Sequence, residues 1–243
     1  MKNLRNAFPQ KTEQDLLNLV APIYRNLTDV MVETFKLLTI PEKDLMKRIR
    51  FKNVDVINQY YDQNKSVIAA TSHLCNWEWM LGACGVLLPA PVDAVYQHIK
   101  NRFFEKLMLQ IRSRFGPIPV EKNNVFRESL KKRNTPHIVA LVADQSPPPT
   151  DTNVYWTEFL NQETVFYNGM ERMASSFDWP VVFVMMKRIK RGYYEIEFSE
   201  LEREPKNTPK GFILEKYAEF VERLIRENPA EWLWSHNRWK RKK

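Results

Sequence analysis

Between Lys11 and about Leu38, apolar residues recur at helical spacing: Leu16, Leu19, Val20, Ile23, Leu27, Val30, Met31 and Phe35. The pattern predicts one or two amphipathic helices, with Pro22 as the kink or break. Pro41 opens a further short helix through Arg50. The period then changes. Residues 66–71 (SVIAAT) and 137–142 (HIVALV) are short apolar runs that read as buried strands, and residues 91–98 read as a third. Helices are predicted over 76–88, with Asn76 as N-cap, and over 101–115, closed by Gly116-Pro117. Further helices fall over 125–133, 169–177 and 212–226, and strands over 180–186 and 193–198 pair across Arg191-Gly192. The stretch 146–151 (SPPPTD) must leave regular structure as a surface loop. Strands alternating with helices imply an α/β fold, a mainly parallel or mixed central sheet flanked by helices. No repeat or linker divides the chain, so one domain is expected over 1–243, a helical region 1–50 leading into an α/β core 51–243.

Composition narrows the class. With 243 residues, 44% of them hydrophobic and 12% aromatic, the chain can bury a sizeable core and is not disordered. Two cysteines exclude a disulfide framework and suggest a reducing compartment, while six glycines argue against a glycine-rich nucleotide fold. The balance of 37 Lys+Arg against 29 Asp+Glu, a formal +8, points to an acidic partner: a carrier protein, nucleic acid or an anionic leaflet. The cations are dispersed and the aromatics keep core-like spacing, so no nucleic-acid partner is expected. No apolar stretch reaches the roughly 18 residues of a spanning helix. The basic tail 238–243 beside Trp232, Trp234 and Trp239 is expected to anchor at a headgroup layer.

The chemistry centres on His73, directly after the buried run 66–71 and before a helix, where α/β folds place ligands. Glu78 follows five positions on. One continuous helix would turn the two side chains apart, but a loop His73 and a first-turn Glu78 can meet. An imidazole oriented by a carboxylate activates a hydroxyl. No Ser sits in a Gly-x-Ser-x-Gly elbow, so the hydroxyl would come from the substrate. Two rival readings use the same residues: metal ligation by His73, Cys75 and Glu78, or a Cys75 thiolate nucleophile. A helix-capping loop is the bland alternative. His98 and His137 read as structural or exposed, and His236 as a packing or interfacial residue.

At this point the sequence resembles a known family. The run Thr71-Ser72-His73-Leu74-Cys75-Asn76-Trp77-Glu78-Trp79 is similar to the His-x4-Glu box of the lipid A late (secondary) acyltransferases, usually His-x-Gly-Asn-Trp-Glu. Further boxes occur in the same order: Asn3–Pro9 (NLRNAFP), Tyr96–Asn101 (YQHIKN), Arg112-x-Arg114-Phe115-Gly116, Ala143-Asp144-Gln145, and WLWSHNRWK from Trp232 to Lys240. The resemblance implies a glycerolipid acyltransferase-like fold and acyl transfer to a hydroxyl of a lipid A precursor. The donor would be acyl carrier protein, whose thioester is a co-substrate, with no other cofactor and no metal. It implies His73 as general base with Glu78 as its partner, and Arg112, Arg114, Asp144, Asn76 and Lys100 as substrate-binding residues, with Asn101 a further one. It also implies a lipid acceptor at a membrane surface, the cytoplasmic face of the bacterial inner membrane. A spanning helix is expected upstream of Lys2, with Met1 an added start and this form peripheral. Cys75 stands where the family has glycine, Gln97 where arginine is common, Ala143 for a proline and Asn161 for a glycine. The alternatives are another membrane lipid as acceptor (a lysophospholipid or aminolipid), acyl hydrolysis, or a basic binding module without catalysis.

Overall fold

The unbroken apolar runs become the centre of a sheet. In the computed structural model, which describes residues 1–242, the chain opens with helices α1 (Lys2–Ala7), α2 (Glu13–Lys36) and α3 (Glu42–Met46). Strand β1 (Ile49–Phe51) and helix α4 (Asp55–Asp62) lead to β2 (Val67–Thr71), α5 (Trp77–Leu87), β3 (Val92–Tyr96) and α6 (Arg102–Ser113). Then come β4 (Ile118–Glu121), α7 (Val125–Lys131), β5 (Ile138–Val142) and the strands β6 (Val154–Phe159) and β7 (Gln162–Tyr167). Helix α8 (Gly169–Phe177), strands β8 (Val181–Lys190) and β9 (Tyr193–Glu202) and helix α9 (Phe212–Glu227) follow.

Seven strands form one sheet in the order β1-β9-β8-β2-β5-β3-β4, and every pairing in it is parallel except β8 with β9. β2 is buried at all five positions because both faces are covered. Successive side chains alternate between the faces: Ile68 and Ala70 join the core beneath α8 and α9, while Val67 and Ala69 join the core beneath α5. The α/β class expected from the sequence is the observed one.

Several local expectations change. Pro22 does not break α2, which is continuous from a Thr12 capping box to Lys36. Pro22 and Asn18 both lie on the exposed face, so the carbonyl that loses its donor turns to water. Arg50 belongs to strand β1, paired with β9, rather than to a helix. The stretch 146–151 is loop as expected, but the residues after it, given no element from the sequence, form β6 and β7 as an antiparallel hairpin turned by Leu160 and Asn161, both at positive φ. The tryptophans of the C-terminal box do not project to a headgroup layer. Trp232, Trp234 and Trp239 are buried in the core with Phe8 and Phe159, because their large apolar rings find more partners there than at the surface. Among the described residues no helix is long and apolar enough to cross a membrane.

Candidate active site

Parallel pairing of β2 with β5 brings Thr71 opposite Val142. Two residues beyond each strand end stand His73 and Asp144, so the register itself delivers an imidazole and a carboxylate to the same edge of the sheet. Nδ1 of His73 lies 2.6 Å from Oδ1 of Asp144. A carboxylate only accepts, so the proton sits on Nδ1 and the Nε2 lone pair points away, free to take a proton. The other oxygen, Oδ2, accepts the backbone N–H of His73 at 3.0 Å and the Trp232 indole N–H at 2.7 Å. Asp144 is only 1% exposed. Burial alone would raise its carboxyl, but the His73 imidazole and these three donors more than offset that and hold it below the usual range.

The C-terminal box closes the site from the other side. Leu233 donates its N–H to the His73 carbonyl (3.1 Å), and Cys75 donates to the Glu231 carbonyl (3.0 Å). Cys75 adopts φ 53°, the left-handed region that favours glycine, which gives the family's glycine at this place a conformational reason. Its thiol is buried, donates to Glu231 Oε2 at 2.8 Å, and is pushed well up by burial and by the nearby carboxylate. It is therefore held as a thiol rather than a thiolate. His236 accepts the Ser146 N–H on Nε2 at 3.0 Å, fixing the turn that carries Asp144. Burial and the neighbouring Lys240 and Arg238 push this imidazole down to about 4, so it stays neutral.

Glu78 has a different partner from the one expected. Its carboxylate, 5% exposed in the first turn of α5, takes a fork of hydrogen bonds from the Arg112 guanidinium in the last turn of α6, at 2.6–3.2 Å. The Trp77 indole donates to it as well (3.2 Å), and the same Trp77 ring meets His73 edge-on at 5.0 Å. The carboxylate that orients the imidazole is thus Asp144, and Glu78 neutralises Arg112 beside it. Two strand ends at equal height meet directly, whereas Glu78 faces α6 from its helix. Asp144, expected to touch substrate, has both oxygens committed inside the protein.

The remaining expected site residues divide. Arg112 lines the cavity at His73, so it stays at the site. Arg114 turns away, donating to the Leu37 carbonyl and lying over the Phe115 ring. Asn76 is wholly buried as the cap of α5, accepting from Trp79 and donating to Glu33 at 2.6 Å, and so has no face left for a ligand. Lys100 is exposed on the turn before α6, and Asn101 caps that helix. His137 is held by Ser66 and Thr135, and His98 pairs with Glu105 at the surface. Gln145, not singled out from the sequence for a role of its own, places its amide nitrogen 3.3 Å from His73 Nε2.

His73 opens into a cavity of about 1000 Å³, at the upper end of ligand-pocket sizes. Its lining runs from Thr71, Glu78 and Arg112 at one end of the strands to Leu88, Val92 and Ile138 at the other. The register lines up Ala69, Ala140 and Ala94 across three neighbouring strands. All three line the cavity, and their small side chains leave the space between sheet and α5 open. Gly85 lets α5 lie against the turn after α6, since a Cβ there would fall 2.4 Å from Pro117.

A half-buried imidazole bonded to a buried carboxylate stands at the mouth of a largely apolar chamber, and comparison with known proteins makes the chain an acyltransferase. The chain belongs to the bacterial lipid A biosynthesis acyltransferases, whose family description it matches over residues 1–241. It is 24% identical over 244 residues to the lipid A biosynthesis palmitoleoyltransferase of Escherichia coli K12, covering 98% of this chain and 77% of that one. The same figures hold for a lipid A biosynthesis acyltransferase of Shigella flexneri. A lipid A biosynthesis acyltransferase of Haemophilus influenzae is 22% identical over 240 residues, covering 96% of this chain and 72% of the relative.

Proposed function

We propose that the protein moves a fatty acyl chain from acyl carrier protein to a hydroxyl of a lipid A precursor, with His73 as general base oriented by Asp144. The observation that carries this reading is the His73–Asp144 pair standing over an apolar chamber in a chain of this family. The acyl tail lies along the alanine row. The strand segment from Val142 to Ile138 spans about 13 Å at a rise of roughly 3.3 Å per residue. A zigzag hydrocarbon of about 1.5 Å bonds advances about 1.25 Å per carbon, so the distal ten or so carbons fit within that depth.

The acceptor hydroxyl displaces the Gln145 amide at Nε2. His73 takes the hydroxyl proton as the oxygen attacks the thioester carbonyl, and the imidazolium returns that proton to the departing carrier thiolate. An ester forms, a thioester breaks, and no acyl group passes through the protein. Asp144 stabilises the transient imidazolium, while the Glu78–Arg112 pair keeps the site's net charge near zero. The basic chain suits both an acidic carrier protein and a phosphorylated glycolipid. The lipid acceptor places the enzyme at the cytoplasmic face of the bacterial inner membrane.

The test offers purified protein an acyl carrier thioester together with either a lipid A precursor or a lysophospholipid, with products read by mass spectrometry. An acyl ester on the lipid A precursor, absent with His73→Ala, is expected. Acylation of the lysophospholipid alone, or free fatty acid as the sole product, would overturn the assignment of the acceptor.

A further inference from the structure

The cavity mouth has an unusual rim. Gln97, His98 and Ile99 line the cavity and lead directly into the start of α6. There Asn101 accepts the N–H groups of Phe103 (3.0 Å) and Phe104 (3.2 Å), fixing the first turn. That turn projects both rings outward. Phe103 is 70% exposed and Phe104 48%, edge to face at 5.6 Å. The inner face of α6 is already supplied by Leu107, Met108 and Ile111, so these two rings are not needed by the core.

Cations surround the ring pair. Lys100, Arg102 and Lys106 are exposed, and none of them makes an ion pair among the described residues. Glu105, the acidic residue of the first turn of α6, is occupied by His98 and the Ile99 N–H. Phe126 also lines the cavity and is itself part exposed. Aromatic rings flanked by Lys and Arg are favoured at the boundary between lipid headgroups and acyl chains. The basic and aromatic C-terminal tail has its tryptophans buried and Arg241 bonded to the Pro148 and Asp151 carbonyls.

We propose that Phe103 and Phe104, with Lys100, Arg102 and Lys106, form the surface by which the protein sits on an anionic phospholipid bilayer, holding the cavity mouth against the lipid. The inference rests on the reading that the acceptor is a membrane lipid. An acidic carrier protein would also be drawn to the three cations, but the protruding ring pair fits a bilayer, into which rings can be inserted without a matching pocket.

Co-sedimentation with vesicles tests it, and needs no turnover. The probes are vesicles of phosphatidylethanolamine with phosphatidylglycerol, against pure phosphatidylcholine. Wild type is expected to bind the anionic vesicles, and to release them as salt rises. Phe103→Ser/Phe104→Ser should weaken binding about tenfold, and Arg102→Gln/Lys106→Gln by about fivefold for each charge removed. Lys240→Gln/Arg241→Gln should bind as wild type does. Both rim variants should keep wild-type melting temperatures and turnover on detergent-dispersed acceptor. Wild type that ignores anionic vesicles, or a ring-pair variant that binds them unchanged, would overturn the proposal. So would unchanged vesicle binding with a raised KM for the acyl carrier thioester, which would make the rim a carrier-protein dock. Failure of acyl transfer itself leaves the vesicle result standing and is told apart from it.

Discussion

Replacing Asp144 by Asn changes one atom and isolates what the carboxylate does. The carboxylate accepts three hydrogen bonds, two on Oδ2 and one, from His73 Nδ1, on Oδ1. The asparagine oxygen can keep the two donors at Oδ2, the His73 N–H and the Trp232 indole. Its NH2 group then faces Nδ1 and can only donate, so the imidazole must carry its proton on Nε2. That tautomer presents a donor, not a base, to the acceptor hydroxyl. The equivalent exchange in a Ser-His-Asp triad costs about ten-thousandfold in rate, or about 5 kcal/mol of barrier. The fold should survive, because two of the three hydrogen bonds persist and the third is reversed, at a loss of about 1–3 kcal/mol for exchanging charged for neutral acceptors. Single-turnover acyl transfer read by mass spectrometry, beside a thermal melt, measures both quantities. A folded Asp144→Asn protein within tenfold of the wild-type rate would refute the orienting role.

Other consequences can be checked in the same way. Glu78→Gln and Arg112→Gln should each destabilise the protein by about 3 kcal/mol by leaving its partner's charge buried. The double variant should lose less than the sum, seen in a denaturant double-mutant cycle. Ala140→Leu, filling the middle of the alanine row, should shift donor preference toward shorter acyl chains with little loss of stability, measured by competition between donors of different length. The His236 imidazole is pushed from 6.5 down to about 4, so between those values the unfolded chain binds a proton the folded chain does not. Stability should therefore fall as pH drops through that window, by about 1–3 kcal/mol after allowance for partial solvent screening. His236→Gln should flatten this slope in urea unfolding series.

Much of the fold was legible because the strongest signals are local. The runs at 67–70 and 138–142 are apolar without a break because β2 is buried throughout and β5 lies inside the sheet with its last three residues against the cavity, and residues 169–177 carry a helical period that the structure keeps. Short or interrupted elements were not legible. β4 is four residues with a proline inside, and the β6–β7 hairpin turns on Leu160-Asn161 where an Asn-Gly pair would have signalled it. The site was half legible for a related reason. His73 stands out from its strand-loop-helix setting, and Asp144 ends an equally clear strand. That they meet depends on β2 and β5 being neighbours in matched register, a long-range fact that spacing along the chain does not contain. Glu78 was the carboxylate near in sequence; Asp144 is the one near in space. The tail misled because Trp beside Lys and Arg has the same composition at a membrane surface and in a core.

The central claim is that the acyl chain passes directly from carrier thioester to lipid hydroxyl under a His73 base, and intact-protein mass spectrometry during the first turnover tests it most directly. Mixed with the acyl carrier thioester and acceptor, then quenched within one turnover, the protein should show its unmodified mass while the acylated lipid accumulates. A protein species heavier by one acyl group, formed and consumed at the rate of turnover and abolished by Cys75→Ser, would contradict the account.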